Sequence, residues 1–220
     1  MKNYKNLTII GSSHIAKESI LEVKKFILSE KPDIIALELD HKRLFALFNK
    51  RKIKLNDIKE VGFKGFLLNL IGAYIEKKLG KLVGVSPGSE MKTAFKLAKT
   101  YNAKIALIDQ DIQVTLKKLA KIKFKEKLKI AKDILKGLIL RKNEIEPFDL
   151  TKVPKEEIII KILEKIEEKY PGVYNILIKE RNEYMGKALN KIIHDNWDKK
   201  ILAVIGAGHE KGVVDILQGN

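Results

Sequence analysis

One pattern occurs twice, near opposite ends of the chain: LTIIGSSH at residues 7–14 and LAVIGAGH at residues 202–209. Each is a short apolar run followed by Gly-x-x-His. A run of this kind reads as a strand buried on both faces, the habit of parallel sheets. Glycine permits a sharp exit from the strand. His14 and His209 are therefore expected just past a strand's carboxyl end, the edge where open α/β sheets form their sites. Either histidine alone would read as a capping or satisfied core residue. Four histidines exist in the chain and two fall at this equivalent place, which points to a shared site.

The glycines of AVIGAGHEKG invite a different reading, the glycine-rich turn of a dinucleotide fold. That fold sets the turn inside a βαβ unit of about 30 residues, with an acidic residue about 20 positions further on. Eight residues follow Gly212 in this sequence, too few for the second strand. The N-terminal turn, GSSH, carries a single glycine. The glycines are expected to shape a turn, and His209 to carry the chemistry.

Between the two motifs the chain alternates. Ile20, Val23, Phe26 and Ile27 recur at helical spacing from Ala16 to Glu30, and Pro32 ends that helix. DIIALEL is a second buried strand and AKIALID a third; KILAVIG is the fourth. Residues 42–82 read as mostly helical. A helix is predicted from Glu90 to Tyr101, and two basic amphipathic helices over 112–140. Pro154 suits a helix start, with Glu156 and Glu157 in its first turn. Another helix follows YPG and runs to about Asp195, and KGVVDILQ is a final short one. The expected fold is α/β (α+β): a small, mostly parallel sheet formed by N- and C-terminal segments, in one domain over 1–220 with helical insertions at about 42–82 and 112–196.

Composition narrows the function classes. The chain has no cysteine, so disulfides and thiolate metal ligands are excluded and any metal must be held by His, Asp or Glu. The formal net charge is +16, mostly lysine, with charged residues at 33%. Such a balance can signal nucleic acid or an anionic membrane. Here the lysines are spread over helical faces beside glutamate, a composition common in heat-adapted proteins. Aromatics are 7% and no compact basic stripe appears, so nucleic acid is not the expected partner. The most apolar stretch, FLLNLIGAYI at 66–75, is shorter than the ~20 residues a bilayer span needs. It reads as a buried helix, a lid, an interfacial segment or a surface for a homodimer. The start shows no signal peptide, and a cytoplasmic location is expected.

Carboxylates join the histidines at the strand ends. Glu38 closes IIALEL among apolar neighbours, where an unpaired charge is costly, and Asp109 closes IALID. Asp40 and His41 lie just beyond Glu38. Two imidazoles and a carboxylate with open positions make a plausible divalent-metal site of the catalytic kind. The plainer alternatives are a buried ion pair for Glu38 and a turn or helix cap for Asp109. Arg181 and Asn182 read as a solvated helix face, unless that helix crosses the strand ends. There Arg181 could bind an anionic group or polarise a carbonyl.

These motifs resemble the TraB/PrgY family. GSSHIAKESILEVKKFILSEKPDIIALELDHKRL resembles its opening, PGSEMKTAFKLAKTYNAKIALIDQDIQVTLKK its middle, and ERNEYMGKAL with ILAVIGAGHEKGVVDIL its close. The likeness runs in order from about residue 7 to 217. The family sits in a wider group with Tiki proteases, GumN-like proteins, ChaN-like haem-binding lipoproteins and erythromycin esterases. The resemblance implies that His14, Glu38 and His209 are core site residues, with supporting roles for Glu90, Arg181 and Asn182. Metal dependence in Tiki relatives agrees with a His/Glu ligand set. Many family members carry Asp-Arg-Asp where this chain has Asp109, Gln110 and Asp111, and many archaeal relatives continue into a membrane-spanning region.

The expected function is therefore a metal-dependent hydrolase, most plausibly a peptidase. His14, Glu38 and His209 would hold a divalent ion (Mn, Co or Zn). Glu90 is the candidate general base, Arg181 and Asn182 would hold the substrate, and Asp109 stands beside them. The alternatives are a protein that sequesters a peptide or small ligand without catalysis, and a basic binder of nucleic acid or anionic membrane.

Overall fold

The computed structural model describes residues 1–13, 17–49, 88–140 and 154–219, with the side chains of 134–140 left aside. His14 and the apolar 66–75 segment lie outside the described residues, as does most of the helical stretch expected over 42–82.

A five-stranded sheet organises the chain. Its strands are β1 (Lys2–Tyr4), β2 (Leu7–Ser12), β3 (Ile34–Leu37), β4 (Lys104–Leu107) and β5 (Ile201–Gly206), in the order β1-β2-β5-β3-β4. β2, β5, β3 and β4 are parallel, and β1 pairs antiparallel with β2. The last strand in sequence thus lies between the first two parallel ones, so the N- and C-terminal segments meet as the repeated motif predicts. The edge strand β1 was not predicted. It is three residues long and turns through Lys5, at φ +51, and Asn6. Lys-Asn is a weaker hairpin signal than Asn-Gly.

Side-chain alternation sends each strand's residues to two faces, and helices cover both. Ile9, Ala36, Ala203 and Ile205 pack against Met185, Leu189, Val213 and Leu217. Ile10, Ile35, Leu37 and Val204 pack against Val23, Ile27, Met91 and Ala94. The first set of helices is α8 (Glu180–Asp195) and α9 (Ala207–Gln218); the second is α1 (Lys17–Glu30) and α3 (Ser89–Thr100). The architecture is a three-layer α/β sandwich. Complete burial of the central strands explains why they read as unbroken apolar runs.

The other described helices are α2 (His41–Phe48), α4 (Ile112–Ala120), α5 (Phe124–Leu140), α6 (Glu156–Lys169) and the short α7 (Pro171–Tyr174). Three boundaries differ from expectation. α6 begins at Glu156, two residues after Pro154. The helix expected from YPG to Asp195 is broken by a π turn, Asn175–Lys179, closed by the Glu180 N–H on the Asn175 carbonyl. α9 begins at Ala207 rather than Lys211, so His209, Gly208 and Gly212 are helical residues. Gly212 is there for close approach: a Cβ on it would lie 2.2 Å from Asn182 Nδ2. Gly186 likewise lets α8 meet α9, since its Cβ would lie 2.6 Å from Ile216 Cγ2. Among the described residues no helix is long and apolar enough to cross a membrane.

Candidate functional site

Sheet register lines up the strand ends. Ser12 pairs with Gly206, Leu37 with Val204 and Leu107 with Leu37. Glu38 is the residue after β3 and Asp109 lies two past β4, so both project at the carboxyl edge beside the exit of β5. The Glu38 N–H still donates to Val204 O at 3.1 Å and the Asp109 N–H to Leu39 O at 3.4 Å. Both carboxylates are buried.

α8 crosses this edge, and the solvated-face reading of Arg181 and Asn182 gives way to its alternative. Arg181 Nη2 donates to Glu38 Oε1 and, at 2.6 Å, to Asp109 Oδ2. Its Nε reaches Asp109 Oδ1 at 3.2 Å, and its Nη1 reaches the Leu177 carbonyl at 3.2 Å. The Arg181 side chain is 13% exposed. Burial works against its charge, but Glu38 and Asp109 more than offset this and hold its pKa above the usual range. Glu38 has its other oxygen on the Gly206 N–H. The buried ion pair weighed for Glu38 from the sequence is thus present, with Arg181 as partner.

His209 enters from the first turn of α9. Its Nε2 lies 3.4 Å from Glu38 Oε1. Its Nδ1 lies 2.6 Å from Asn182 Oδ1. An amide oxygen can only accept, so the contact needs the proton on Nδ1, and it turns Nε2 toward the Glu38 carboxylate. Glu90, in the first turn of α3, is 1% exposed and accepts from Ser12 Oγ at 3.5 Å. Six of the seven residues singled out from the sequence therefore lie on or over one sheet edge. His14, the seventh, follows Ser12 and Ser13 in the chain but is outside the described residues.

Arg43 was missed. From α2 it donates to Asp40 Oδ2 at 2.7 Å, to Asp109 Oδ2 at 2.7 Å and to the Gln110 carbonyl at 3.1 Å. Asp40 caps α2 through the Lys42 and Arg43 N–H groups and also accepts from the Ile112 N–H at 3.1 Å. The Asp40–Arg43 spacing on a helix's first turn was a readable signal. Asp111, not Asp109, caps α4 by accepting from the Gln113 N–H. The helix-cap reading of Asp109 is thus set aside: its two oxygens receive Arg43 and Arg181. Cations do reach the Asp-Gln-Asp turn, but they come from α2 and α8. Gln110 turns inward onto Thr115 Oγ1 at 2.9 Å.

The fold and site define a mostly parallel α/β protein whose polar centre joins both ends of the chain at the carboxyl edge of its sheet. The chain belongs to the TraB/PrgY/gumN family, whose profile matches residues 2–219. It is 38% identical over 221 residues to an uncharacterised protein of Methanocaldococcus jannaschii, covering 97% of this chain and 53% of that one. It is 24% identical to the mouse TraB domain-containing protein and 22% identical to the human one, each over 93% of this chain and 61% of the relative. The chain thus spans about half to three-fifths of the length of these curated relatives.

Proposed function

We propose that this chain is a metal-dependent hydrolase acting on peptides. One observation carries the reading. His209 presents Nε2 at 3.4 Å from a Glu38 oxygen while Asn182 holds its other nitrogen. An imidazole fixed through its far nitrogen, converging with a carboxylate in a buried edge, is how proteins present ligands to zinc, manganese or cobalt. The donor set fits such an ion. His209 and Glu38 would hold it, with His14 as the third ligand implied by the repeated motif. When bound, a divalent ion supplies Lewis acidity, acidifying water and polarising a carbonyl.

The chain's own residues divide the remaining work. Asn182 selects the His209 tautomer. Arg181 holds Glu38 by one oxygen, and the Gly206 N–H holds it by the other, so the carboxylate cannot swing. Asp109, itself held by Arg43, braces Arg181 from the far side. Glu90, buried beside Ser12, would be the general base.

The first test is metal content and affinity of the wild type beside His14→Ala and His209→Ala, with folding checked by circular dichroism. About one ion per chain, lost in both variants, is the expected result for a shared site. Unchanged metal binding in both variants would remove the metal reading. If the wild type then cleaves no member of a diverse peptide library with Mn²⁺, Co²⁺ or Zn²⁺ added, the peptidase assignment fails. One observation favours a non-catalytic binder instead: the Arg181 guanidinium is engaged by Glu38, Asp109 and Leu177, the pattern of a girder rather than a substrate clamp. That reading predicts peptide binding that a chelator leaves unchanged.

A further inference from the structure

A cleft of about 350 Å³ runs between α6 and α9 and reaches Asn182, the residue that holds His209. Its volume is in the range of small-ligand sites. α6 contributes Ile159, Ile160 and Leu163, and none of its residues is fully buried. α9 contributes Gly208 and Gly212 beside Glu210, Lys211 and Asp215, so part of its wall has little side-chain bulk. A Cβ on Gly208 would find its nearest neighbour, Leu163 Cδ2, 4.0 Å away.

The charge of this cleft opposes that of the whole protein. The chain carries a formal +16. Among the described lining residues, Glu156, Glu164, Glu167, Glu210 and Asp215 face Lys211 as the one base. Lys211 is taken by Asp215 at 2.7 Å, and Glu156 by Lys2 at 2.6 Å. Glu164 and Glu167 have no ion pair or hydrogen bond among the described residues. They are three apart on α6 and so share a face.

A second, independent feature asks for a ligand. Asn182 is 8% exposed, and its Oδ1 is committed to His209. Its Nδ2, which sits against Gly212 in the cleft lining, has no acceptor among the described residues. That amide N–H₂ is not sealed from solvent, so an acceptor arriving in the cleft can take its hydrogen bond over from water. A peptide carbonyl is such an acceptor. A cationic side chain suits the rest, since lysine and arginine lay an aliphatic stem on apolar walls and hold their charge at the rim.

We propose that the cleft between α6 and α9 takes a peptide segment bearing lysine or arginine, its cation at Glu164 and Glu167 and a main-chain carbonyl on Asn182 Nδ2. This names the substrate class of the hydrolase reading and rests on it for its role, but binding is measured apart from turnover. The probes are two fluorescent hexapeptides, identical except that two lysines in one are glutamines in the other. Fluorescence anisotropy follows each on the full chain at fixed ionic strength. The lysine peptide is expected to bind at least about tenfold more tightly than its twin, a modest gain for two carboxylates near one cation. The preference is expected to vanish in Glu164→Gln/Glu167→Gln. Gly208→Leu, which fills the cleft without changing charge, should weaken both peptides. Equal affinity of the twins for the wild type, or a preference that survives Glu164→Gln/Glu167→Gln, overturns the proposal. Non-specific attraction cannot imitate the expected result, because a chain of this net charge repels cations. Lysine peptides that bind here but are never cut with metal added would sink the hydrolase reading and leave the cleft standing. Cleavage that ignores lysine would do the reverse.

Discussion

His209 Nδ1 lies 2.6 Å from Asn182 Oδ1, so a residue of α9 takes its orientation from a residue of α8. The contact survives only because Gly212 leaves room for the Asn182 amide. Asn182→Ala should therefore free the imidazole and cost about 10–100-fold in metal affinity, the usual loss for an outer partner of a ligand histidine. Gly212→Ala should behave alike, by pushing Asn182 aside. Nitrogen NMR of His209 checks this without metal or turnover. The wild type should show the proton on Nδ1 and both variants a mixture. Unchanged ring shifts would count against the positioning role.

Arg181 stands between two buried carboxylates, Glu38 and Asp109. Removing one member of a buried charge network strands its partners and typically costs about 3–5 kcal/mol. Arg181→Ala should lose stability on that scale in urea unfolding. Arg181→Lys should recover only part, because an ammonium cannot fork between Glu38, Asp109 and the Leu177 carbonyl. A loss for Arg181→Ala below about 1 kcal/mol would show that the network is worth no more than a surface pair.

Gly186 sets the distance between α8 and α9. An added methyl would meet Ile216 Cγ2 at 2.6 Å and Ile216 Cβ at 3.1 Å. Gly186→Ala should cost about 1–3 kcal/mol as overpacking. Pairing it with Ile216→Ala should give a total smaller than the sum of the two single losses, because the offending branch is gone. Strict additivity in the double-mutant cycle would rule out this contact as the cause.

Burial pushes the Glu210 carboxyl above its ordinary value of 4.5, with the Met1 amino group and Lys2 pulling partly the other way. A carboxyl raised on folding binds its proton more tightly in the native state. Its contribution is therefore full below the unfolded value and is lost as pH climbs through the raised one. Glu210→Gln should melt higher than the wild type at neutral pH, by up to about 2–4 °C, and the difference should close as pH falls toward 4.5 and below. A gap that stays constant with pH would mean the gain is not electrostatic.

Much of this molecule was legible in its sequence because its signals are local. Buried parallel strands have to be apolar on both faces, so LTIIG, IIAL and LAVIG stood out at once. Strand ends in such sheets carry the polar work, so His209, Glu38 and Asp109 could be picked from their positions alone. β1 stayed hidden because three residues of an edge strand need no periodic pattern. The start of α9 was misplaced because two glycines in a helix's first turns look like a loop when the neighbour they make room for is out of view. Arg43 was passed over because its Asp109 partner is 66 residues away.

What the sequence determined by itself was which segments are the four parallel strands, that they form one mostly parallel sheet, and which edge of it carries polar groups. Those follow from burial and from side-chain periodicity, which act over a few residues. Only the tertiary structure decided that β5 lies between β2 and β3, which sets His209 against Glu38. It alone decided that α8 crosses the strand ends, which turns Arg181 from a surface cation into the partner of two buried acids. Both outcomes depend on the order in which strands dock and on how closely helices pack. Those are energies of contact between residues far apart in the chain, 72 positions for Arg181 and Asp109 and 143 for Arg181 and Glu38, and no local pattern encodes them.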